Sequence, residues 1–164
     1  MYWLIIPVTV YSIGLLSLWL ILQKRHDVTV PATSTPVKIS VVVACRNEED
    51  TIVTLLKSLA EQDYPHDLLE IVITNDGSTD RTPIVVSRFI ADLRQHSSLN
   101  VRLIYNPFSG KKSAIRHAID KSDGELILTT DADCVTGPGW VSTYVGYYAA
   151  TGADMIVGRV YQRR

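Results

Sequence analysis

Apolar residues run along this chain in three rhythms: one unbroken stretch at the amino terminus, short β-branched blocks, and stripes at helical spacing. The unbroken stretch comes first. Residues 2–22 carry no charged side chain, and that is about the length a helix needs to cross a bilayer. Trp3 and Trp19 lie near its two ends, where amphipathic rings favour the membrane interface. Lys24 and Arg25 follow at once, while the other flank carries only the amino terminus. Residues 1–23 are therefore expected to form a single transmembrane anchor, with everything after it on the cytoplasmic side of the cell membrane. A cleaved signal peptide would want basic residues before the run and a small-residue cleavage site after it, and neither is present. A buried core helix is the other reading, and an uncharged terminal stretch of this length argues against it. Pro7 and Gly14 are tolerated in a membrane helix.

Residues 24–37, with Pro31, Pro36 and several Thr and Ser, predict an extended linker. A regular alternation of strands and helices then begins. Residues 39–44 form a β-branched apolar block of the kind buried on both faces of a parallel sheet. Ile52, Leu55, Leu56 and Leu59 mark an amphipathic helix over about 49–62. Residues 69–74 give the second strand, and Val85, Val86, Phe89, Ile90 and Leu93 the second helix, with Ser78 to Asp80 as capping candidates. A third strand is predicted at 101–105, a helix at 112–122 and a fourth strand at 125–130. One more helical stripe follows in Val141, Tyr144, Val145 and Tyr148, and one more strand at 155–160. Repeated βα units of this length predict a three-layer α/β domain with a mostly parallel sheet over 38–164.

In such sheets ligands bind beyond the carboxyl ends of the strands. Those ends here are Cys45 to Glu49, Asn75 to Asp80, Asn106 to Lys112 and Asp131 to Asp133, each of them polar and charged while the strands are almost wholly apolar. Composition narrows the ligand. The formal net charge is −1, so the basic excess of a nucleic-acid binder is missing and no nucleic-acid partner is expected. Cys45 and Cys134 fit no zinc spacing and are read as small packing residues.

Asp131 and Asp133 are the sharpest signal. In an extended segment residues i and i+2 face the same side, and two carboxylates about 4 Å apart repel by about 4 kcal/mol at an effective dielectric near 20. A hard divalent ion, Mg²⁺ or Mn²⁺, relieves that repulsion and bridges to substrate phosphates. A solvated Asp-rich turn is the plainer alternative. Asp76, at the tip of the second strand, is placed to accept a hydrogen bond from a nucleobase, although Asp76-Gly77 is also good turn chemistry and Asp80 suits a helix cap. Lys111 and Lys112 are placed to meet a diphosphate beside a helix start, or to be a solvated pair. Arg116 and His117 read as a solvated face.

In this order and spacing, the blocks 40–49, 73–82, 110–115 and 124–134 together resemble family 2 glycosyltransferases of the GT-A fold. The resemblance covers about residues 38 to 160. It implies that the segment from Ala44 through Arg46 to Glu48 lines a nucleotide pocket, that Asp76 holds the base (typically uracil), and that Lys111 lies near the donor phosphates. It further implies that Asp131 contacts the ribose or the metal side and that Asp133 ligates the metal. The expected function is transfer of a sugar from a nucleotide-diphospho-sugar, a UDP-sugar, to a glycan or lipid acceptor with inversion. The apolar anchor makes the chain similar to synthases of surface polysaccharides or glycolipids. Ala44-Cys45-Arg46-Asn47 departs from a common Pro-x-Tyr-Asn lead-in, and Arg116 stands where an asparagine is usual.

The resemblance also implies a catalytic carboxylate well beyond Asp133. Asp154 is the only acidic residue after Asp133, and Arg164 lies 31 residues past it, so no catalytic residue is assigned and a longer protein is expected. Two other readings compete: a non-catalytic module that binds nucleotide-sugars, and a haloacid-dehalogenase-like phosphatase, whose first motif Asp131 to Val135 also fits. The phosphatase pattern wants that strand near the start of its domain, and here three βα units precede it.

Overall fold

The computed structural model describes residues 5–23 and 37–158. Its elements in order are α1 (Ile5–Gln23), β1 (Ile39–Cys45), α2 (Ile52–Ala60), β2 (Leu69–Asn75), α3 (Thr82–Leu93), β3 (Asn100–Tyr105), α4 (Lys111–Asp120), β4 (Leu126–Thr129) and α5 (Trp140–Thr151). The four strands form one parallel sheet in the order β3-β2-β1-β4. β1 and β2 run in register over seven pairs, from Ile39 opposite Leu69 to Cys45 opposite Asn75.

The β-branched blocks form central strands because both faces are covered. One face carries Ile39, Val41, Val43, Ile71 and Ile73, packed with Ile52, Leu55, Leu56 and Leu59 of α2, Val86 and Ile90 of α3, and Val141 and Val145 of α5. The alternate residues Val42 and Val72 pack on the other face with Ala118 and Ile115 of α4. Period-two alternation along the strands thus feeds two separate cores, and helix, sheet and helix make three layers. The path from β3 through α4 to β4 carries the chain to the far side of β1. That reversal lies between β1 and β4, where doubly wound sheets open a crevice at the strand ends.

The opposite end of the sheet is closed by polar contacts. Glu70, 2% exposed, accepts hydrogen bonds from Ser40 Oγ at 2.5 Å, the Asp123 amide at 2.6 Å and Arg102 at 2.8 Å. The Gly124 amide donates to Ser40 Oγ at 2.8 Å. This cluster fixes the entry to β4 against β1 and β2.

Two expectations require correction. Among the described residues no helix is long and apolar enough to cross a membrane. α1 forms where the anchor was expected, over Ile5–Gln23, and residues 1–4 of that expected span lie outside the described residues. The strand expected at 155–160 is also absent over 155–158, and 159–160 lie outside the described residues, as does the linker at 24–36. β4 offers a sheet edge of only four residues. After α5 ends at Gly152, in the left-handed conformation with φ 60°, the chain instead lies against that helix, with Gly158 directly on the Tyr144 ring and hydroxyl. Asp154 is exposed in the bend after α5, and no strand follows it over 155–158.

Candidate functional site

The loops that follow β1 and β2 are stitched together by their own side chains. Asn47 adopts φ 56°, the left-handed region that asparagine tolerates better than most residues, and its Oδ1 accepts the Thr79 amide at 2.8 Å. The Glu48 amide donates to Thr82 Oγ1 at 2.8 Å, and the Glu49 amide to Asp80 Oδ2 at 3.2 Å. Asp80 Oδ1 also accepts the Thr82 amide at 2.9 Å at the start of α3, so the residue expected to cap this helix also crosslinks the two loops. Burial opposes ionisation of Asp80, but the Thr82 and Glu49 hydrogen bonds outweigh it and hold the carboxyl below its usual range. Arg81 closes the stitch on Glu49 at 3.2 Å.

A second set of contacts joins β2 to the start of α4. Asp76 is 7% exposed. Its carboxylate receives the Gly110 amide at 3.0 Å on each oxygen and the Asn106 side-chain amide at 2.7 Å on Oδ1. Gly110 has φ 105°, a conformation that only glycine adopts without strain, and Lys111 follows it as the first residue of α4. The Lys111 ammonium lies 2.8 Å from Asp131 Oδ1. That hydrogen bond, assisted by the Asp131 and Asp133 charges, raises the lysine above its ordinary value.

The third wall comes from β4. The segment turns at 132–133 instead of continuing extended, so strand alternation is not what aims Asp131 and Asp133. Ala132 is buried in the core, 3% exposed, and the two flanking aspartates are left exposed on the cleft. Further on, Gln62 at the end of α2 holds the return to α5. Its amide donates to Gly137 O at 2.8 Å and its Oε1 accepts the Val141 amide at 2.9 Å.

Together these walls enclose a cleft of about 350 Å³ at the strand carboxyl ends, within the range of small-molecule sites. Ala44, Arg46, Glu48, Asp76, Lys111, Asp131 and Asp133 all line it, so the residues to which the family resemblance gives a role are brought to one place, while the diphosphate candidate Lys112 is not. Cys45, Gly110 and Ala132 line it as well. Burial, with Glu48, Asp80 and Asp76 nearby, pushes the Cys45 thiol up to about 12, which keeps it protonated and inert. Lys112 and Arg116 are exposed outside the cleft. Asn47, Asn106 and Gln62 went unmarked because their work is to accept and donate between loops. Only the bunching of Asn with Gly and Ser after β2 and β3 signals it for Asn106, and nothing in the sequence marks Asn47 or Gln62.

Among the described residues no group of three or more His, Cys, Asp or Glu side chains gathers to hold a metal. Two carboxylates on one cleft wall nevertheless suit Mg²⁺ or Mn²⁺, since such ions are commonly held by one or two protein carboxylates and complete their shells with water and substrate phosphates. The cation that now satisfies Asp131 is the Lys111 ammonium.

Comparison with known proteins agrees with the geometry. A mannosyltransferase of Pyrobaculum calidifontis, solved with GDP-Man and Mn²⁺, superposes with a TM-score of 0.73 at 32% identity, over 89% of this chain and 43% of that one. Staphylococcus aureus TarS 1–349 with UDP-GlcNAc superposes at 0.61 and 26% identity, over 77% and 37%. The β-monoglucosyldiacylglycerol synthase of Nostoc sp. PCC 7120 is 33% identical over 96 residues, 58% of this chain and 20% of the relative. The chain therefore spans less than half the length of each of these proteins. Residues 40–164 match the sequence profile of glycosyl transferase family 2, about three quarters of the chain, which displaces the phosphatase reading, and the chain belongs to that family.

Proposed function

We propose that the cleft binds a nucleoside diphospho-sugar, a UDP-sugar, and that the protein transfers the sugar to a glycan or lipid acceptor with inversion. One observation carries this reading: a single cleft joins two loop-stitched walls to a pair of carboxylates facing a lysine. The nucleoside lies against Ala44, Arg46 and Glu48, with one lone pair of Asp76 free for the base. The Arg46 guanidinium has no protein partner among the described residues and adds positive charge to that wall. Lys111 meets the diphosphate. Asp131 and Asp133 hold Mg²⁺ or Mn²⁺, which when bound neutralises charge on the departing nucleoside diphosphate. The acceptor proton is assigned to no residue of this cleft: Glu48 is hydrogen-bonded by Thr51 at 2.6 Å, and Asp76 is held by Gly110 and Asn106. The relatives support the donor class, since the Pyrobaculum enzyme is bound to GDP-Man and TarS to UDP-GlcNAc. Calorimetry of UDP and GDP with and without Mn²⁺ tests the reading. Expected is Mn²⁺-dependent binding with UDP preferred, and a folded sample that binds neither nucleotide refutes it. A non-catalytic nucleotide-sugar module is the second reading, favoured by the hydrogen bonds that already occupy the Glu48 and Asp76 carboxylates. UDP-sugar hydrolysis and transfer assays separate the two.

We propose also that α1 attaches the protein to the cell membrane, with the α/β domain on the cytoplasmic side. Val10, Tyr11, Ile13, Leu16, Trp19 and Leu20 are exposed on it, and a helix apolar all round requires cover. Lys24 and Arg25 follow it in sequence, where positive charge is attracted to the anionic cytoplasmic leaflet. Flotation with anionic liposomes should carry the full chain upward and leave the chain lacking residues 1–23 behind. Equal flotation of both removes the proposal.

A further inference from the structure

We infer that Asp76 is a positioning residue for Lys111, so that its loss weakens the diphosphate end of the ligand as well as the nucleobase end. The inference rests on the donor-binding reading above and assigns a second task to one of its residues.

Base recognition alone does not explain how this carboxylate is used. A carboxylate offers about four lone-pair sites. Three of the contacts at Asp76 are made by the protein itself, two from one Gly110 amide and one from Asn106. Both donors belong to the segment between β3 and α4, across the cleft from the β2 tip that carries Asp76. Asn106 is itself tied to that segment, through Ser113 Oγ at 3.0 Å and the Phe108 amide at 3.2 Å. Gly110, at φ 105°, is the residue immediately before α4. A glycine free to rotate there would leave the first turn of α4 without a fixed entry angle, since glycine has the greatest backbone freedom to lose. The buried Asp76 carboxylate removes that freedom by holding the Gly110 amide on both oxygens.

Lys111 is the next residue, and its ammonium reaches Asp131 at 2.8 Å. A chain of direct contacts therefore crosses the cleft from β2 through Gly110 and Lys111 to the β4 turn. The Lys111–Asp131 pair is more than half exposed on both sides, and exposed ion pairs alone do little to hold long side chains in place. The ammonium is held over the cleft because its backbone is held, and the holding group is Asp76. Without it Lys111 keeps its charge and loses its address.

The test compares two ligands and two backgrounds. Mn²⁺-dependent binding of UDP and of pyrophosphate, which has no base, is measured calorimetrically in wild type, Asp76→Ala, Lys111→Met and the double variant. Positioning predicts that Asp76→Ala weakens pyrophosphate by about three- to tenfold, within the lower half of the coupling seen between groups in one network. It also predicts that this loss disappears when Lys111 is already methionine. Asp76→Asn, with the same shape but one acceptor oxygen, gives the same reading should the alanine variant not fold. Loss confined to UDP, with pyrophosphate unchanged, overturns the inference, and so does a pyrophosphate loss that persists in full beside Lys111→Met. Absence of Mn²⁺-dependent UDP binding by the wild type is a different failure and falls on the donor reading itself.

Discussion

Asp133→Asn is expected to abolish Mn²⁺-dependent binding of UDP while leaving the melting transition of the protein in place. The side chain is exposed at the cleft rim, and no hydrogen bond supporting a neighbouring element ends on its carboxylate beyond a long 3.9 Å contact from Cys134. The fold therefore loses nothing when the charge goes. The ligand loses a great deal. Asp131 already shares its charge with Lys111, so removing Asp133 leaves one half-neutralised carboxylate facing a divalent ion that needs both. Amide oxygen is a far weaker partner for a hard cation than carboxylate oxygen. The Mn²⁺-dependent gain in UDP affinity should drop by at least about tenfold, or 1.4 kcal/mol. Calorimetry with and without Mn²⁺ reads it directly, and an unchanged metal-dependent affinity would show that the ion is held by other groups.

The identity of these aspartates was legible in the sequence, but the reason offered for their placement was not the operative one. Strand alternation was expected to aim both carboxylates one way. Strand β4 stops at Thr129 and the chain turns at 132–133, so burial of Ala132 does that work. A short apolar residue between two acidic ones carries the same information in either geometry, which is why a wrong intermediate still placed both acids on one cleft. The roles of Asp76 and Lys111 divide similarly. Their approach to one cleft follows from parallel strands whose carboxyl ends converge, a property of the fold class. The Asp76–Gly110 contact does not, because it depends on the φ of a glycine that sequence leaves open.

The strands themselves were legible to within a residue or two, because a β-branched block between polar tips has few other ways to bury both faces. Both failures concern segments whose partners lie outside the local pattern. Residues 155–158 carry strand-like apolar residues but pair with no sheet edge, with Met155 and Val157 exposed and Gly158 against Tyr144 of α5. The helix at 5–23 forms as its composition dictates, and what it packs against is a matter of surroundings that periodicity does not encode. The cluster around Glu70 was passed over although a signal existed: one acidic residue inside the apolar strand Leu69–Asn75 is expensive to bury unless it is answered.

That answer makes Glu70→Ala the most destabilising single change expected here. Ser40, the Asp123 amide and Arg102 all donate to this one carboxylate, and Ser40 in turn receives the Gly124 amide. Truncation leaves a buried hydroxyl, an amide and a guanidinium to find new acceptors in a space with none. Breaking a buried pair by removing one partner costs about 3–5 kcal/mol. Arg102 is one third exposed and can turn to water, which places the cost near the lower end, about 3 kcal/mol. Gly124→Ala attacks the same joint by another route. A Cβ there would collide with the Ser40 backbone nitrogen and hydroxyl, so β4 must shift away from β1. The pH dependence identifies the carboxylate as the cause. Burial raises the Glu70 carboxyl, but the Asp123, Ser40 and Arg102 hydrogen bonds more than offset it and hold it below its ordinary value. A depressed folded-state value means stability that is present above the ordinary carboxylate range and is lost as pH falls through the folded-state value. Denaturant unfolding from neutral pH downward should therefore show wild type losing stability below about pH 4.3, the unperturbed glutamate value. Glu70→Gln, with no proton to take up at this site, should start lower and fall less steeply. Parallel profiles for the two proteins would show that the joint is held by shape alone and that its charge contributes nothing.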